Sequence, residues 1–233
     1  MSLTPNISCA NCRISELCLP FSLSNTELNL LDEIIKRKKP IQKNQVLFHS
    51  GDPLLSLFAI RSGTFKTFIN TARGEQQITG FHLPGDVLGF DALSEKLHTG
   101  TAQALETAMV CEIPFDVLDQ LSNQIPRLKT QIMALMSMEL GCNQQHLLSI
   151  NQENAEQKLA RFLIHFGERL SDRQLSSQEF QLPMTRTDLG NYLGLTVETV
   201  SRLLSRFQQN GWIKLDRKFV TIEDSEALQN LYS

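Results

Sequence analysis

Short runs of β-branched and aromatic residues alternate with glycines in the first half of the chain. No glycine precedes Gly51, and seven of the twelve glycines fall from Gly51 to Gly100. The runs around them, at residues 45–48, 57–60, 65–69, 78–83 and 109–113, have the length and composition of β-strands. Strands separated by glycine turns predict an antiparallel sandwich or roll over about residues 20–120.

A helix is predicted just before these strands. Ser24 and Glu27 have the spacing of a capping box, and leucine and isoleucine residues recur over 28–35 at helical intervals. A basic stretch at 36–39 then leads to Pro40. Because proline disfavours helical backbone at the residue before it, we expect the helix to stop there.

The pattern changes from Pro126 onward and predicts a long helix. Glycine is absent until Gly141, and apolar residues recur at helical steps. The stripe consists of Ile132, Met136, Leu140, Leu147 and Ile150, with the polar Asn143 inside it. Such a stripe packs either on the preceding sheets or on its twin in a second subunit, and a lone Asn in an apolar seam is a device that fixes helix register in dimers.

These patterns divide the chain into four segments. We predict an N-terminal cysteine-containing segment at 1–19, a β-roll at 20–125, a long helix at 126–152 and a C-terminal domain at 153–233. A further helix is predicted over 154–170, before a polar loop at 171–179. The predicted fold class is therefore α+β.

Composition excludes several classes of protein. The chain has 233 residues, 41% of them hydrophobic, and 22 Lys and Arg against 25 Asp and Glu give a net charge of −3. It is long enough to bury a core without disulfides and too apolar for a disordered chain. It has no apolar leader and no apolar run of about 20 residues, so we expect a cytoplasmic protein without membrane contact. A negative net charge argues against bulk attraction to nucleic acid but leaves a local basic surface open.

Residues 185–207 have the pattern of a helix-turn-helix. Thr185 and Asp188 make a capping pair, Gly194 supplies the turn, and Thr196 caps a second helix. Apolar residues at i, i+3, i+4 and i+7 predict a buried face on that second helix: Val200, Leu203, Leu204 and Phe207.

A different face of the second helix is polar and suits DNA bases. Its residues are Glu198, Ser201, Arg202 and Ser205, with Val197 beside them. Glutamate accepts a hydrogen bond from cytosine N4, arginine forks onto guanine, and a valine methyl contacts the thymine methyl. We therefore predict double-stranded DNA as the partner of this helix. The alternative is an ordinary solvated helix face.

Charge and the following hairpin favour the DNA interpretation. Between residues 185 and 218, six cationic side chains against three acidic ones give a local charge of +3. The cations are Arg186, Arg202, Arg206, Lys214, Arg217 and Lys218. Residues 211–222 alternate like a short hairpin, which predicts a wing behind the helix. Such a surface binds phosphates regardless of sequence, with an affinity that falls steeply as salt rises.

Three cysteines lie close together near the N-terminus. Cys9, Cys12 and Cys18 fall within ten residues, so their thiols can share one metal centre. Cys111 and Cys142 are the candidates for a fourth ligand. No histidine lies near the first three, which indicates an all-thiolate centre, and the spacing leaves zinc and an iron-sulphur cluster both open. The alternative for Cys111 is a buried structural thiol, and for Cys142 it is plain helix packing.

The sequence shows no catalytic arrangement. Ser, His and Asp are scattered without a nucleophile elbow, and no phosphate-binding or dinucleotide-binding loop is present. We therefore do not expect an enzyme.

Four motifs together resemble the fumarate and nitrate reduction (FNR) regulators, the oxygen-sensing branch of the cyclic-AMP receptor protein superfamily. They are Cys9-x2-Cys12-x5-Cys18, Gln77-Ile-Thr-Gly-Phe-His82, Ala104-Leu-Glu-Thr107 with Val110-Cys-Glu-Ile-Pro114, and Gly194-Leu-Thr-Val-Glu-Thr-Val-Ser-Arg202. The resemblance runs from Cys9 to about Ala227. It implies a cyclic-nucleotide-binding-like β-roll (jelly roll), a long dimerisation helix and a C-terminal winged helix-turn-helix.

The resemblance also implies roles for individual residues. One oxygen-labile 4Fe-4S cluster per subunit would be bound by Cys9, Cys12, Cys18 and Cys111. Bases in palindromic sites like TTGAT-N4-ATCAA would be contacted by Val197, Glu198, Ser201 and Arg202. RNA polymerase would be contacted by Arg73, Gly74 and Glu75, and the homodimer would form through the stripe that contains Asn143. Cluster-loaded chains would dimerise without oxygen and activate or repress genes of anaerobic and aerobic metabolism.

Three places depart from the pattern of the relatives. Gly89-Phe-Asp91 and Gly100-Thr101 stand where the cyclic-nucleotide branch has a Gly-Glu pair and an Arg-Ser or Arg-Thr pair, so we expect no binding of cyclic AMP. Asn143 replaces an acidic residue that is common on the dimer helix, so we expect the cluster-free form to resist dimerisation less. Arg13 follows Cys12 where a small polar residue is frequent, and a cation there would stabilise the more negative, reduced cluster.

Two other functions stay open at the level of the sequence. One is a zinc-dependent or thiol-redox regulator of the same fold, in which oxygen has no role. The other is an iron-sulphur electron-transfer protein, which would keep its function after replacement of Glu198 and Arg202 by Ala.

Overall fold

The computed structural model describes residues 8–37, 39–71 and 74–232. The chain falls into two compact units, Met1–Leu140 and Gly141–Ser233. The division lies inside one long helix, and the four predicted segment bounds stay predictions.

The first unit is built on two antiparallel sheets. Its described strands are β1 Lys36–Arg37, β2 Val46–Phe48, β3 Ser56–Ser62, β4 Phe65–Asn70, β5 Gln76–His82, β6 Val87–Leu88, β7 Thr101–Ala104 and β8 Met109–Pro114. One sheet has the order β1-β8-β3-β6 and the other β2-β7-β4-β5. Ile60 and Val110 from the first sheet pack in one buried cluster with Phe65 and Ala102 from the second. The sheets therefore face each other, and the predicted antiparallel roll is confirmed.

Helix α1 spans Asn25–Ile34 and begins at the predicted capping box. Ser24 Oγ accepts a hydrogen bond from the backbone N–H of Glu27, and Glu27 Oε2 accepts one from that of Ser24 over 2.7 Å. The prediction that this helix reaches the residues before Pro40 is wrong. It ends at Ile34, because Lys36 and Arg37 are extended and pair with β8.

Two further helices pack against the sheet that contains β3 and β8. Helix α2 spans Phe115–Gln124 and was not predicted, and helix α3 spans Pro126–Gln152. Leu118 of α2 and Leu128 of α3 are buried in one apolar cluster with Leu31 of α1 and Ile113 of β8. This cluster holds the start of the long helix against the first sheet.

The second unit contains the end of α3 and a small domain. Its described elements are α4 Ala155–Ser171, β9 Glu179–Gln181, α5 Arg186–Leu193, α6 Val197–Gln209, β10 Ile213–Asp216, β11 Phe219–Ile222 and α7 Ser225–Gln229. The strands form an antiparallel sheet with the order β10-β11-β9, so the predicted hairpin is confirmed and gains a third strand. In the part of the chain that the structure describes, no helix has the length and apolarity needed to cross a membrane.

Candidate functional site

Tight turns hold three cysteines near the N-terminus. Single 3-10 turns at Cys9–Asn11 and Ser15–Leu17 each end at a cysteine, because the N–H groups of Cys12 and Cys18 donate back to Cys9 and Ser15. Cys9 and Cys18 are buried, and Cys12 is half-buried. The short spacing between the cysteines thus folds their backbone into a compact hook.

Cys111 reaches the same place from a distant part of the sequence. It lies on β8 between β1 and β3, opposite Arg37 on one side and Ala59 on the other. All four thiols, those of Cys9, Cys12, Cys18 and Cys111, line one cavity whose other walls include Ile14, Leu31, Ile35 and Arg61. Cys142 is exposed on α3 and is not among the cavity residues.

Burial favours the protonated form of the thiols of Cys9, Cys18 and Cys111. Desolvation raises the pKa of Cys18 to about 12, and it also raises the pKa of Cys9 and of Cys111. The carboxylate of Asp32 raises the pKa of Cys9 further. A metal ion would have to displace these protons, so binding would be coupled to proton release.

The donor set fits a sulphur-ligated centre. Four thiols share one mostly apolar cavity, and no histidine or carboxylate is among its lining residues. Among residues 8–37, 39–71 and 74–232, no three His, Cys, Asp or Glu side chains stand at distances that hold a single metal ion. Ligation would therefore require the sulphur atoms to come closer together than they stand in this structure.

Sequence reasoning missed the charged and polar residues beside the cavity. Asp32 accepts a hydrogen bond from the backbone N–H of Cys9 over 2.8 Å, and Arg37 forms an ion pair with Asp32. Gln131 of α3 donates from Nε2 to the carbonyl oxygen of Cys18 over 3.1 Å. No local pattern marks these residues, because each acts across a separation of five residues or more.

The second unit presents the predicted helix-turn-helix. Thr185 caps α5 in a capping box with Asp188, and Gly194 ends that helix in the left-handed conformation at φ 66°. Gly190 permits the close turn, since a Cβ there would stand 2.7 Å from the carbonyl oxygen of Leu195. Thr196 caps α6, whose buried face is the predicted one: Val200, Leu203, Leu204 and Phe207.

The other face of α6 is accessible. Glu198 and Arg202 are exposed, Val197 is 36% exposed, and Ser201 is half-buried. Because these residues lie within about one and a half turns of one helix, they can reach neighbouring base pairs. At the turn of the β10–β11 hairpin, Arg217 and Lys218 are exposed, and so is Lys214 on β10. These three cations thus stand on the hairpin whose strand β10 packs against α6, the recognition helix of this winged helix-turn-helix.

The loop predicted to contact RNA polymerase is described only in part. Arg73 lies outside the described residues, as do residues 1–7 of the N-terminal segment. Gly74, at φ 78°, and Glu75 are exposed in the turn between β4 and β5.

The long helix carries exposed apolar side chains. In the first unit, Met136 and Leu140 are 37% and 59% exposed, whereas Ile132 packs against the core of the roll. In the second unit, Leu147 is 61% exposed and Asn143 is exposed, while Ile150 is half-buried. Apolar exposure along one helix is typical of an interaction surface.

Family models match both halves of the chain. The model of the cyclic nucleotide-binding domain matches residues 38–124, and the model of the Crp-like helix-turn-helix domain matches residues 157–231.

Curated relatives match nearly the whole chain. The chain is 56% identical over 225 residues to an anaerobic regulatory protein of Aggregatibacter actinomycetemcomitans, a match that covers 97% of this chain and 88% of the relative. It is 54% identical over 225 residues to the fumarate and nitrate reduction regulatory protein of Escherichia coli K12, with 97% and 90% covered.

Among solved structures, FixK2 from Bradyrhizobium japonicum is similar with a TM-score of 0.79 and 26% identity, over 86% of this chain and 98% of that chain. A mutant of CooA from Carboxydothermus hydrogenoformans has the same fold at 16% identity, with a TM-score of 0.71 over 91% and 92% of the two chains.

Proposed function

Because the chain belongs to the family of fumarate and nitrate reduction regulators, which regulate transcription through a Crp-like DNA-binding domain, we propose that it is an oxygen-responsive regulator that binds palindromic DNA as a homodimer. The observation that carries this proposal is the cavity lined by four thiols from two distant parts of the sequence. One 4Fe-4S cluster per subunit is the group that we place there.

We assign the ligands as Cys9, Cys12, Cys18 and Cys111. When bound, such a cluster supplies a redox-active, oxygen-labile centre. The protein's part is to encircle it with the N-terminal hook on one side and strand β8 on the other. Ligation would fix the hook, whose position is otherwise set by hydrogen bonds and apolar contacts.

The cavity is physically continuous with the long helix. Cys18 belongs to the same buried cluster as Leu128, and Cys111 and Ile132 pack against that cluster. The hydrogen bond from Gln131 to Cys18 adds a polar link. Fixing the hook therefore biases the position of the first turns of α3, which is the link that we propose between ligation and dimerisation.

Dimerisation would bring together two DNA-binding domains. We propose the contact along Ile132, Met136, Leu140, Asn143, Leu147 and Ile150, whose exposed apolar members would leave water on association. Joining two DNA-binding domains on one palindrome raises affinity by about 10²- to 10⁴-fold, so a modest shift in dimerisation changes occupancy of a promoter. RNA polymerase would then bind the DNA-bound dimer, in part at the turn that contains Gly74 and Glu75.

The recognition helix would read sites that resemble TTGAT and its inverted repeat. Val197, Glu198, Ser201 and Arg202 supply the donors, acceptors and methyl groups that discriminate base edges. The cations of the wing would bind phosphates and set the register.

Cyclic AMP is not part of the proposal. The Asp91 carboxylate accepts hydrogen bonds from the backbone N–H groups of Thr99 and Gly100, at 2.9 and 3.1 Å, and it also contacts Nδ1 of His98. His98 is buried and stacks on Phe48 at 3.8 Å. A ribose hydroxyl would have to compete with these internal partners for the carboxylate.

Purification without oxygen tests the proposal. We expect a coloured protein with iron and acid-labile sulphide in equal amounts, and loss of both in the variant Cys111→Ser. The variant Cys142→Ser is the matched control, since it removes the exposed fifth thiol, and it should keep the centre.

A colourless protein that contains zinc would contradict the proposal and support a structural zinc site. An electron-transfer protein would keep its function after Glu198→Ala and Arg202→Ala, whereas a regulator should lose its discrimination between promoter sequences.

A further inference from the structure

An ion pair links the two parts of the chain that contribute the thiols. Asp32 lies in the last turn of α1, and its Oδ1 accepts the backbone N–H of Cys9 over 2.8 Å. The same oxygen accepts a hydrogen bond from Nη2 of Arg37. The side chains of both residues are about one quarter exposed, at 26% and 27%, so neither is freely solvated.

Arg37 stands beside the fourth thiol. It is the direct cross-strand partner of Cys111 in the antiparallel pair of β1 and β8, and directly opposite residues project from the same face of a sheet. The guanidinium of Arg37 lies close enough to Cys111 to lower the pKa of that thiol against the larger effect of burial. One carboxylate and one guanidinium thus connect the Cys9 turn to the Cys111 strand.

We propose that Asp32 and Arg37 are positioning residues for the sulphur-ligated centre: Asp32 anchors the Cys9 turn through its backbone N–H, and Arg37 fastens Asp32 to the strand that carries Cys111. This inference rests on the proposed function, because it assumes that the four thiols bind one centre. Arg37 also places a cation next to a group of thiolates that would otherwise repel one another.

The chemistry explains why both residues are needed. A carboxylate forms a strong hydrogen bond with a backbone N–H, and a guanidinium holds a carboxylate in a fixed direction. Residues that orient metal ligands without touching the metal typically change metal affinity about 10- to 100-fold when they are replaced. Breaking either contact should leave the fold intact, since both residues are partly exposed and outside the buried core.

The experiment compares four variants with two matched controls. Asp32→Ala and Arg37→Gln remove the anchor, Asp32→Asn keeps an oxygen acceptor for Cys9, and Arg37→Lys keeps the charge. Glu33→Gln and Lys36→Gln make equivalent charge changes at exposed neighbouring positions. Two quantities are measured: amide hydrogen exchange of residues 8–19 in the metal-free protein, and the rate of iron loss to a chelator from the protein loaded without oxygen.

We expect faster exchange over 8–19 and about 10-fold faster iron loss in Asp32→Ala and Arg37→Gln, with unchanged exchange in β3 and β8. Asp32→Asn and Arg37→Lys should lie between these variants and the wild type, and both controls should match the wild type. Wild-type rates of iron loss in Asp32→Ala and Arg37→Gln would overturn the inference. A wild-type protein that takes up no iron would instead contradict the proposed function, while exchange in the metal-free protein would still decide whether Asp32 and Arg37 anchor the cysteine turn.

Discussion

Arg186, the first residue of α5, donates a hydrogen bond from Nη1 to Oγ of Ser201 on α6 over 3.2 Å. The contact joins the two helices of the helix-turn-helix and holds a guanidinium at the edge of the recognition face. Both residues were singled out from the sequence, Arg186 as a cation and Ser201 as a base-contacting residue. The structure shows that their side chains share one hydrogen bond.

Because Arg186 lies at the edge of the recognition face, we predict that it contacts phosphate, whereas Arg202 contacts bases. Arg186→Ala should weaken binding to specific and random duplexes alike. It should also reduce the slope of log affinity against log salt by about 1 per subunit. Arg202→Ala should cost about 1 to 3 kcal/mol per half-site on the palindrome and much less on random DNA. Fluorescence anisotropy over a range of salt concentrations measures both quantities. Lys129→Ala, an exposed cation of α3, is the control, and a slope change in that variant equal to that of Arg186→Ala would contradict the assignment.

Replacement by alanine should change the free energy of unfolding in opposite directions at two glycines of the second unit. At Gly190 a Cβ would lie 2.7 Å from the carbonyl oxygen of Leu195, a contact that can be relieved only by moving backbone. We expect Gly190→Ala to lower the free energy of unfolding by about 1 to 3 kcal/mol. Gly141 lies inside α3 with nothing within 4 Å of its added Cβ, so Gly141→Ala should raise stability by roughly 0.5 to 1 kcal/mol. Urea denaturation measures both free energies of unfolding, and stabilisation by Gly190→Ala would contradict the close approach of Gly190 to the carbonyl oxygen of Leu195.

Glu139 should make the stability of the first unit depend on pH. Burial, with smaller repulsion from Asp86 and Asp91, raises the pKa of Glu139 from 4.5 to about 7. The folded state therefore holds this proton more tightly than the unfolded state, so the contribution is fully present below pH 4.5 and is lost as the pH rises towards 7. Glu139→Gln removes the effect, so its melting temperature should exceed that of the wild type at about pH 8 and match it at about pH 4. A constant difference at both pH values would contradict the shifted pKa.

Asn143 should permit more self-association of the metal-free chain than an acidic residue at the same position. In a two-fold symmetric dimer, a residue near the axis meets its own copy, so an acid there would face an acid. We expect Asn143→Asp to shift the metal-free protein towards monomer, because two like charges repel across the seam. Sedimentation velocity measures the change, with Gln144→Glu as the exposed neighbouring control. Equal association of the two variants would place Asn143 away from the axis.

Local signals made parts of this fold predictable from the sequence. The capping boxes at Ser24 and Thr185 and the left-handed Gly194 lie where the pattern indicates, because each depends on residues within one turn. Helix α2 was missed because it begins at Phe115 directly after a strand, with Pro114 at its N-cap and no capping side chain. The end of α1 was misplaced because strand pairing of Lys36 and Arg37 with β8 overrides helical propensity.

The candidate site was predictable only in its sulphur atoms. Three of them lie within ten residues of one another in the sequence, and Cys111 was assigned through family resemblance. Strand β8 brings Cys111 to the cavity, which is a long-range pairing that no local pattern encodes. Asp32, Arg37 and Gln131 were missed for the same reason, since their partners lie on other elements.

The most direct measurement is a binding titration without oxygen on a palindromic duplex with TTGAT half-sites, using the iron-loaded protein and the same protein after iron has been removed. We predict that removal of iron lowers affinity, with complete loss of the dimer setting a limit of about 10²- to 10⁴-fold, because fewer metal-free chains would present two joined DNA-binding domains. The variant Cys142→Ser should behave like the wild type. Equal affinity with and without iron would contradict the proposal that the thiol-lined cavity controls DNA binding.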